Sequence, residues 1–305
     1  MDKTLGQMMR IIVDAGVETF AATAGRALED GALPPADHRP WPLPPALWVM
    51  AQAWRHALFA HWPLPPGALR RFVPSGVVLD LFDGAAWLGI TAFVVAGARI
   101  RGLPAVPGLS TFAEVNVRTY VTADGKPGVL FLSLDAASIA AVFGARAWFR
   151  LPYFSTTAEA ESRAGWWHFT SRRHHPGATG ASFRATYRAS GGRRLPGGVA
   201  LTRWLVERYC LYCGADGTLL RAEVHHAPWP IEPAEAVIEE NTLGKALGLS
   251  LADPPHLLHF ASGVDAFVWP PRVVSAHTAR AHTARAPAAH ESRAQKSRAQ
   301  KKRSA

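Results

Sequence analysis

A chain of 305 residues that is 49% hydrophobic and 18% charged, with 11 Trp and 14 Phe, has the apolar mass for a large core, which excludes a wholly disordered polymer. A net charge of +10 suggests nucleic acid until the charge is located: from Val273 onward eight basic residues face one acid, Glu291, giving +7, so the rest carries only +3. Two cysteines are too few for a disulfide scaffold, and no run approaches the roughly 18 apolar residues of a bilayer span. With no apolar leader after Met1, the expectation is a cytoplasmic protein.

Residues 1–40 read as an N-terminal extension, an amphipathic helix carrying Ile11, Ile12, Val13, Val17 and Phe20 followed by the proline-rich break Leu33-Pro-Pro-Ala-Asp-His-Arg-Pro40. Residues 41–271 read as one domain. Strands are expected over 57–62, 77–82, 86–95, 114–122, 129–134, 166–172, 182–189, 209–212, 219–226, 257–261 and 264–269, and helices over 66–72, 136–149, 199–207 and 233–247. Many short strands with scattered helices make this α+β, an antiparallel β-barrel or sandwich with a few peripheral helices. Residues 272–305 repeat themselves: His277-Thr-Ala-Arg-Ala281 recurs at 282–286 and Ser292-Arg-Ala-Gln-Lys296 at 297–301. This basic, aromatic-free sequence is expected to be a disordered tail that binds polyanions weakly and without specificity.

The chemistry concentrates in Phe112-Ala-Glu-Val-Asn-Val-Arg-Thr-Tyr-Val-Thr-Ala-Asp-Gly-Lys-Pro-Gly-Val-Leu-Phe-Leu-Ser-Leu-Asp135. Side chains in a strand alternate faces, so Glu114, Asn116, Arg118 and Tyr120 share one face while Val115, Val117, Thr119 and Val121 share the other. Asp124-Gly125 supplies the reversal of a hairpin. A polar face usually looks at water in an antiparallel sheet. An acid, an amide, a guanidinium and a phenol in line suit a binding site instead, lying inside a barrel whose outer face is apolar. Glu114 and Arg118 could also pair as a purely structural ion pair.

Other motifs carry less. Cys210-Leu-Tyr-Cys213 lies in an aromatic strand without the helix N-terminus of a redox pair or the further ligands of a zinc site, and reads as core packing. The pairs His174-His175 and His225-His226 point to opposite faces and make poor metal sites. No phosphate loop, nucleotide fingerprint or nucleophile elbow occurs, so neither a metal nor a cofactor is expected. Arg172-Arg173 after Trp166-Trp167 raises a nucleic-acid surface, against which the near-neutral body argues.

Phe59-Ala-His-Trp-Pro63, Leu79-Asp-Leu-Phe-Asp-Gly84 with Trp87-Leu-Gly89, Glu114-Val-Asn-Val-Arg-Thr-Tyr-Val121, Gly128-Val-Leu-Phe-Leu-Ser-Leu-Asp135, Ala145-Arg146 with Leu151-Pro-Tyr153, Glu207-Arg-Tyr209 and His226-Ala-Pro-Trp229 occur in one order across the body. Together they resemble the YqjF-like family of uncharacterised proteins, over about 41–271. That family is similar in fold to acetoacetate decarboxylase, which implies an antiparallel barrel with a central small-molecule cavity. Glu114 stands where those enzymes place an active-site glutamate. Tyr153 stands where they place the Schiff-base lysine, and the body's only lysines, Lys126 and Lys245, sit in a hairpin turn and on an expected exposed helix, where neither amine would be desolvated. The resemblance therefore implies a barrel without Schiff-base decarboxylation.

The sequence thus points to a barrel binding a small, anionic keto, enol or carboxylate compound. Glu114 and Tyr153 are the candidate acid–base groups, and Asn116, Arg118, Tyr120, Arg146, His61 and Trp62 the candidate ligand contacts. A non-catalytic binding protein of the same fold is the alternative, and a nucleic-acid-associated protein acting through its tail a third.

Overall fold

A computed structural model of the chain describes residues 33–138, 150–191, 198–215, 218–252 and 254–274. The expected N-terminal helix, most of the helix expected over 136–149, and the tail beyond 274 lie outside the described residues. In chain order the elements are β1 (Met50–Leu64), α1 (Pro66–Arg70), β2 (Val78–Leu79), β3 (Ala86–Ile100), β4 (Phe112–Ala123), β5 (Lys126–Ala136), β6 (Tyr153–Arg163), β7 (Trp166–Arg173), β8 (Ser182–Ala189), α2 (Gly198–Val206), β9 (Cys210–Ala215), β10 (Thr218–His225), β11 (Ile231–Asn241), α3 (Leu243–Ala246), β12 (Leu257–Val268) and β13 (Arg272–Val273).

Strand pairing runs β12-β1-β3-β4-β5-β6-β7-β8-β11 and returns to β12, closing a nine-stranded barrel. Strands β9 and β10 span from β5 back to β12 and close a second, smaller ring on the other side of the shared wall β12-β1-β3-β4-β5. The barrel is mixed, not purely antiparallel, because β5 pairs in parallel with both β6 and β9. Parallel pairing needs a crossover connection, and the chain between β5 and β6 supplies one.

The shared wall divides the interior in two. On one side Leu58, Leu88, Ile90, Val115 and Val117 pack against Phe169, Phe183 and Tyr187 from β7 and β8, filling the space. On the other side Phe59, Trp87, Phe93 and Leu134 face Leu205 of α2, Leu211 of β9 and Val224 of β10 across a cavity.

Which residues reach the cavity is set by bulges as much as by alternation. In β1, Met50, Gln52 and Trp54 line the cavity before His56, and the odd-numbered Phe59 lines it afterwards. The phase changes because His56 has φ +55° and the β1–β3 register slips between Arg55 and Leu58. An extra residue in one strand inverts the facing of everything beyond it. Gly263 of β12 makes room for the bulge: a Cβ there would sit 2.2 Å from the Trp54 carbonyl oxygen. In β5, Val129 and Phe131 line the cavity and so does Leu134, with the register slip falling opposite Val117 and Arg118.

Two expectations are corrected. The segment expected as a helix over 233–247 is mostly strand β11, with only Leu243–Ala246 helical. Its Ala and Glu favour helix, but pairing with β8 overrides that preference and sets Glu235 directly across from Arg188, Nη2 to Oε2 2.7 Å. Strand β6 was not expected, because after Thr156 its inward residues are only Ala158 and Ala160, alternating with Glu159 and Glu161, which lack the β-branched or aromatic side chains that mark a strand. The segments expected over 257–261 and 264–269 form the single strand β12. At the ends, Arg39 donates to the Val224 carbonyl (2.5 Å) and the Glu223 carboxylate (3.1 Å), and β13 pairs with β10, so ordered pairing reaches both sides of 41–271.

Candidate functional site

The cavity has a volume of about 410 Å³. Its walls are mainly aromatic and aliphatic; one face of β4 brings Glu114, Asn116 and Arg118 inward in line, as the alternation predicts, and Gln52, Thr91, Arg99, Ser110, Tyr153, Arg208 and His226 add polar groups from other elements. Trp54 and Trp229 stack at 5.9 Å between ring centroids with an 8° interplanar angle, and Phe59 meets Trp229 edge-on at 5.1 Å.

Glu114 is 3% exposed and has no cationic partner among the described residues. Tyr153 Oη, from the start of β6, donates to Glu114 Oε2 at 3.1 Å, and the Asn116 side chain also hydrogen-bonds the carboxyl. Burial pushes the Glu114 carboxyl up to about 8, against the opposing pull of these two hydrogen bonds, with the nearby Asp135 carboxyl adding to the rise. The group is therefore protonated near neutral pH. Tyr153 itself is held well above the usual phenol range, first by burial and then by Glu114, so it acts as a donor. The parallel β5–β6 pairing that sets Leu134 beside Tyr153 is what brings residues 39 positions apart into contact.

Arg118 is the least buried of the three β4 side chains. Its guanidinium carbon sits 5.3 Å from the centroid of Phe59, and Nε and Nη2 have no hydrogen-bond partner among the described residues. The Arg118 side chain lines the cavity, while these two nitrogens are packed against its wall with almost no accessible surface, so an anion meets them once the guanidinium turns toward it. Arg208, just after α2, adds a second cation to the same cavity. Its Nη1 donates to Asp80 Oδ2 at 2.7 Å and its Nε to the Trp204 carbonyl at 2.6 Å, leaving Nη2 unpartnered. Both arginines contact Tyr120: Arg208 lies 5.0 Å from its ring centroid and Arg118 hydrogen-bonds its hydroxyl.

Tyr120 and His61 form the layer behind Arg118. His61 Nε2 and Tyr120 Oη are 3.0 Å apart, and burial together with Arg118 holds the His61 ring well below the usual histidine range, hence neutral. Neither reaches the cavity surface. Gly89 permits this layer, because a Cβ there would sit 3.1 Å from Tyr120 Oη and 3.2 Å from His61 Cδ2. Trp62 is placed elsewhere: its side chain belongs to the filled core, with Nε1 donating to the Ala252 carbonyl at 2.6 Å. Of the expected site residues, Glu114, Asn116, Arg118 and Tyr153 are thus brought together, Tyr120 and His61 support them, Trp62 lies across the wall, and Arg146 is outside the described residues.

Sequence reasoning misses Arg208 and Trp54; it takes His226, near Trp229, as a hydrogen-bonded wall residue and does not count either among the ligand contacts. Arg208, His226 and Trp229 all fall inside the fragments Glu207-Arg-Tyr209 and His226-Ala-Pro-Trp229, which was the available signal. Burial holds His226 down to about 4, so it is a neutral wall residue. Neither lysine is at the site: Lys126 Nζ pairs with Glu223 Oε1 at 2.6 Å, and Lys245 is exposed on α3. The cysteines belong to the two different cores, Cys210 with the filled one and Cys213 with the other. No group of metal-ligating side chains is found among the described residues. No helix among them is long and apolar enough to cross a membrane.

The model of the DUF2071 family, "Uncharacterized conserved protein (COG2071)", matches residues 51–265. The chain belongs to this family. This DUF2071 chain is 40% identical over 230 residues to "Uncharacterized protein YqjF" of Bacillus subtilis (strain 168), a match covering 75% of this chain and 94% of that one. Among solved structures, acetoacetate decarboxylase from Legionella pneumophila subsp. pneumophila str. Philadelphia 1 superposes with a TM-score of 0.53 at 12% identity, covering 80% of this chain and 97% of that chain. The enduracididine biosynthesis enzyme MppR complexed with pyruvate gives 0.52 at 14% identity, over 79% and 95% of the two chains. An acetoacetate decarboxylase-like enzyme from Sphingomonas wittichii RW1 gives 0.51 at 14%, over 80% and 99%. The DUF2071 barrel therefore has the acetoacetate decarboxylase-like fold.

Proposed function

We propose that the cavity binds a small carboxylate-bearing keto or enol compound and transfers protons on it, with Glu114 as the acid and Arg118 and Arg208 as the anion anchors. The observation that carries this is the pairing, in one apolar cavity, of a neutral buried carboxyl with guanidinium N–H groups that lack partners among the described residues. A ligand carboxylate against Arg118 satisfies its free N–H groups. Glu114 delivers its proton to the carbonyl oxygen of the bound keto compound and takes the proton from the neighbouring carbon, so that the enol forms and the carboxyl ends neutral again. While charge builds on the carboxylate it is stabilised by the Tyr153 hydrogen bond. The reverse transfer returns the keto form with a solvent-exchanged proton on carbon. No lysine among the described residues lines the cavity, and the proposed chemistry uses no Schiff base.

The test combines binding with exchange. Tryptophan fluorescence, reporting through Trp54 and Trp229, follows pyruvate and acetoacetate binding, and NMR follows deuterium uptake at the carbon next to the carbonyl. Glu114→Gln is expected to bind and not exchange, and Arg118→Met to lose binding. Exchange at the wild-type rate in Glu114→Gln would remove Glu114 from the reaction. The largely apolar lining also favours a second reading, a non-catalytic binding protein, for which wild type binds ligand and exchanges nothing.

A further inference from the structure

Resting on that reading, the shape of the cavity narrows the class of ligand. Along β4 the lining runs from Phe112, beside the β3–β4 connection, through Glu114 and Asn116 to Arg118, a span of roughly 20 Å at the rise of a strand. Beyond Phe112 the cavity continues into the β3–β4 connection, where Ile100, Leu103, Val106 and Leu109 line it.

Those four residues are 49%, 57%, 51% and 50% exposed, and they are four of only ten large hydrophobics so exposed among the described residues. Such a concentration at a cavity rim marks a contact surface more than scattered surface leucines do. The connection is also pre-shaped. The Val106 N–H donates to Ser110 Oγ at 2.7 Å, the Ser110 N–H to the Val106 carbonyl at 3.0 Å, and the Ala98 N–H to the Ser110 carbonyl at 2.9 Å, while Gly102 and Gly108 take the turns at φ +79° and +77°. Its apolar side chains are thus held at the mouth by a built loop. A volume of about 410 Å³ lies within the roughly 300–1,000 Å³ of pockets for drug-sized ligands, well beyond what a three- or four-carbon keto acid fills.

We propose that the occupant is an amphiphile: an aliphatic acid or 3-oxo acid of medium chain length. Its carboxylate lies against Arg118 and Arg208, and its alkyl chain runs along β4 past Glu114 and emerges between Leu103, Val106 and Leu109. Two guanidinium groups at the Arg118 end, against the single Arg99 beside the apolar lip, favour this orientation over the reverse one, which would put an alkyl end against Arg118 and Arg208.

The experiment titrates the full chain with pyruvate, hexanoate, octanoate, decanoate and dodecanoate, and with decanol and decylamine, reading tryptophan fluorescence and calorimetry. Affinity is expected to rise about fourfold per added methylene until the chain fills the mouth, and decanoate is expected to bind at least tenfold more tightly than decanol or decylamine. Leu103→Ser with Val106→Ser is expected to flatten the chain-length dependence while leaving pyruvate binding unchanged. Pyruvate binding as tightly as decanoate would overturn the amphiphile and leave the keto-acid site standing. Equal binding of decanoate and decanol, unaffected by Arg118→Met, would overturn both. If the double serine variant alters only adsorption to phosphatidylglycerol vesicles and not chain-length dependence, the lip is a membrane contact and the proposal fails.

Discussion

Strands β1, β3, β4 and β5 present two different interiors on their two faces. Behind Val115 and Val117 the space is closed by Phe169, Phe183 and Tyr187; Thr119 Oγ1 donates to the Trp87 carbonyl at 2.9 Å there, while Ser133 Oγ, across from Val117, lacks a partner among the described residues. In front of Glu114, Asn116 and Arg118 the opposing α2, β9 and β10 stand off, and Asn116 Oδ1, Arg118 Nε and Arg118 Nη2 lack partners among the described residues. One face of the wall supplies stability. The other gives up packing and hydrogen bonds, which is the arrangement from which a ligand site is proposed.

That contrast can be broken most directly by truncation. Phe169→Ala is expected to lose about 3–5 kcal/mol in denaturant unfolding, because it empties a sealed core, whereas Phe93→Ala at the cavity wall loses less than half of that, because it only enlarges existing space. Equal losses would mean the two faces are packed alike.

The next effect is pH-dependent. The folded state holds the Glu114 proton up to about 8 while the unfolded chain releases it near the usual carboxylate value, so the native state binds the extra proton between those limits. Wild-type stability therefore falls as pH rises through that window and levels off above it. Glu114→Gln removes this contribution, and the variant is expected to exceed wild type by several kcal/mol at pH 9 and to approach it at pH 5, as read from paired urea titrations.

Arg118→Met sharpens the contrast from the other direction. Anionic ligands are expected to bind ten- to a hundredfold more weakly, the range of a lost hydrogen bond to a charged group, while thermal stability is unchanged or rises because unsatisfied donors disappear. A large fall in stability would instead mark Arg118 as part of a structural network. The smallest effect is expected from removing residues 275–305: about 0.5 kcal/mol or less, with weak, salt-sensitive binding to heparin lost from the shortened chain.

Much of this was legible where the physics is local. The alternation of β4 placed Glu114, Asn116, Arg118 and Tyr120 on one face without any tertiary information, and the Asp124-Gly125 turn joined β4 to β5, both with φ near +50° to +70°. Legibility failed where tertiary structure inverts a local rule. The Ala- and Glu-rich β11 is a strand only because β8 is there to pair with it. Trp62 was assigned to the site with its neighbour His61, although adjacent strand residues face opposite ways. Trp54 was missed because its phase relative to Phe59 depends on a left-handed residue at His56, which nothing in the residue type announces. Arg208 reaches the cavity from after α2, and no spacing in the chain foretells that approach.

The bulge at His56 has a consequence for how such a barrel can be altered. It splits β1 into two half-strands of opposite phase, one ending at Trp54 beside the mouth and one beginning at Ala57 beside the floor. Because the phase is reset between them, residues of the outer half can be exchanged, or the lip re-cut, without rotating Phe59 and His61 away from the guanidinium layer. A change confined to the outer half therefore alters the lip and leaves the facing of the inner half as it is.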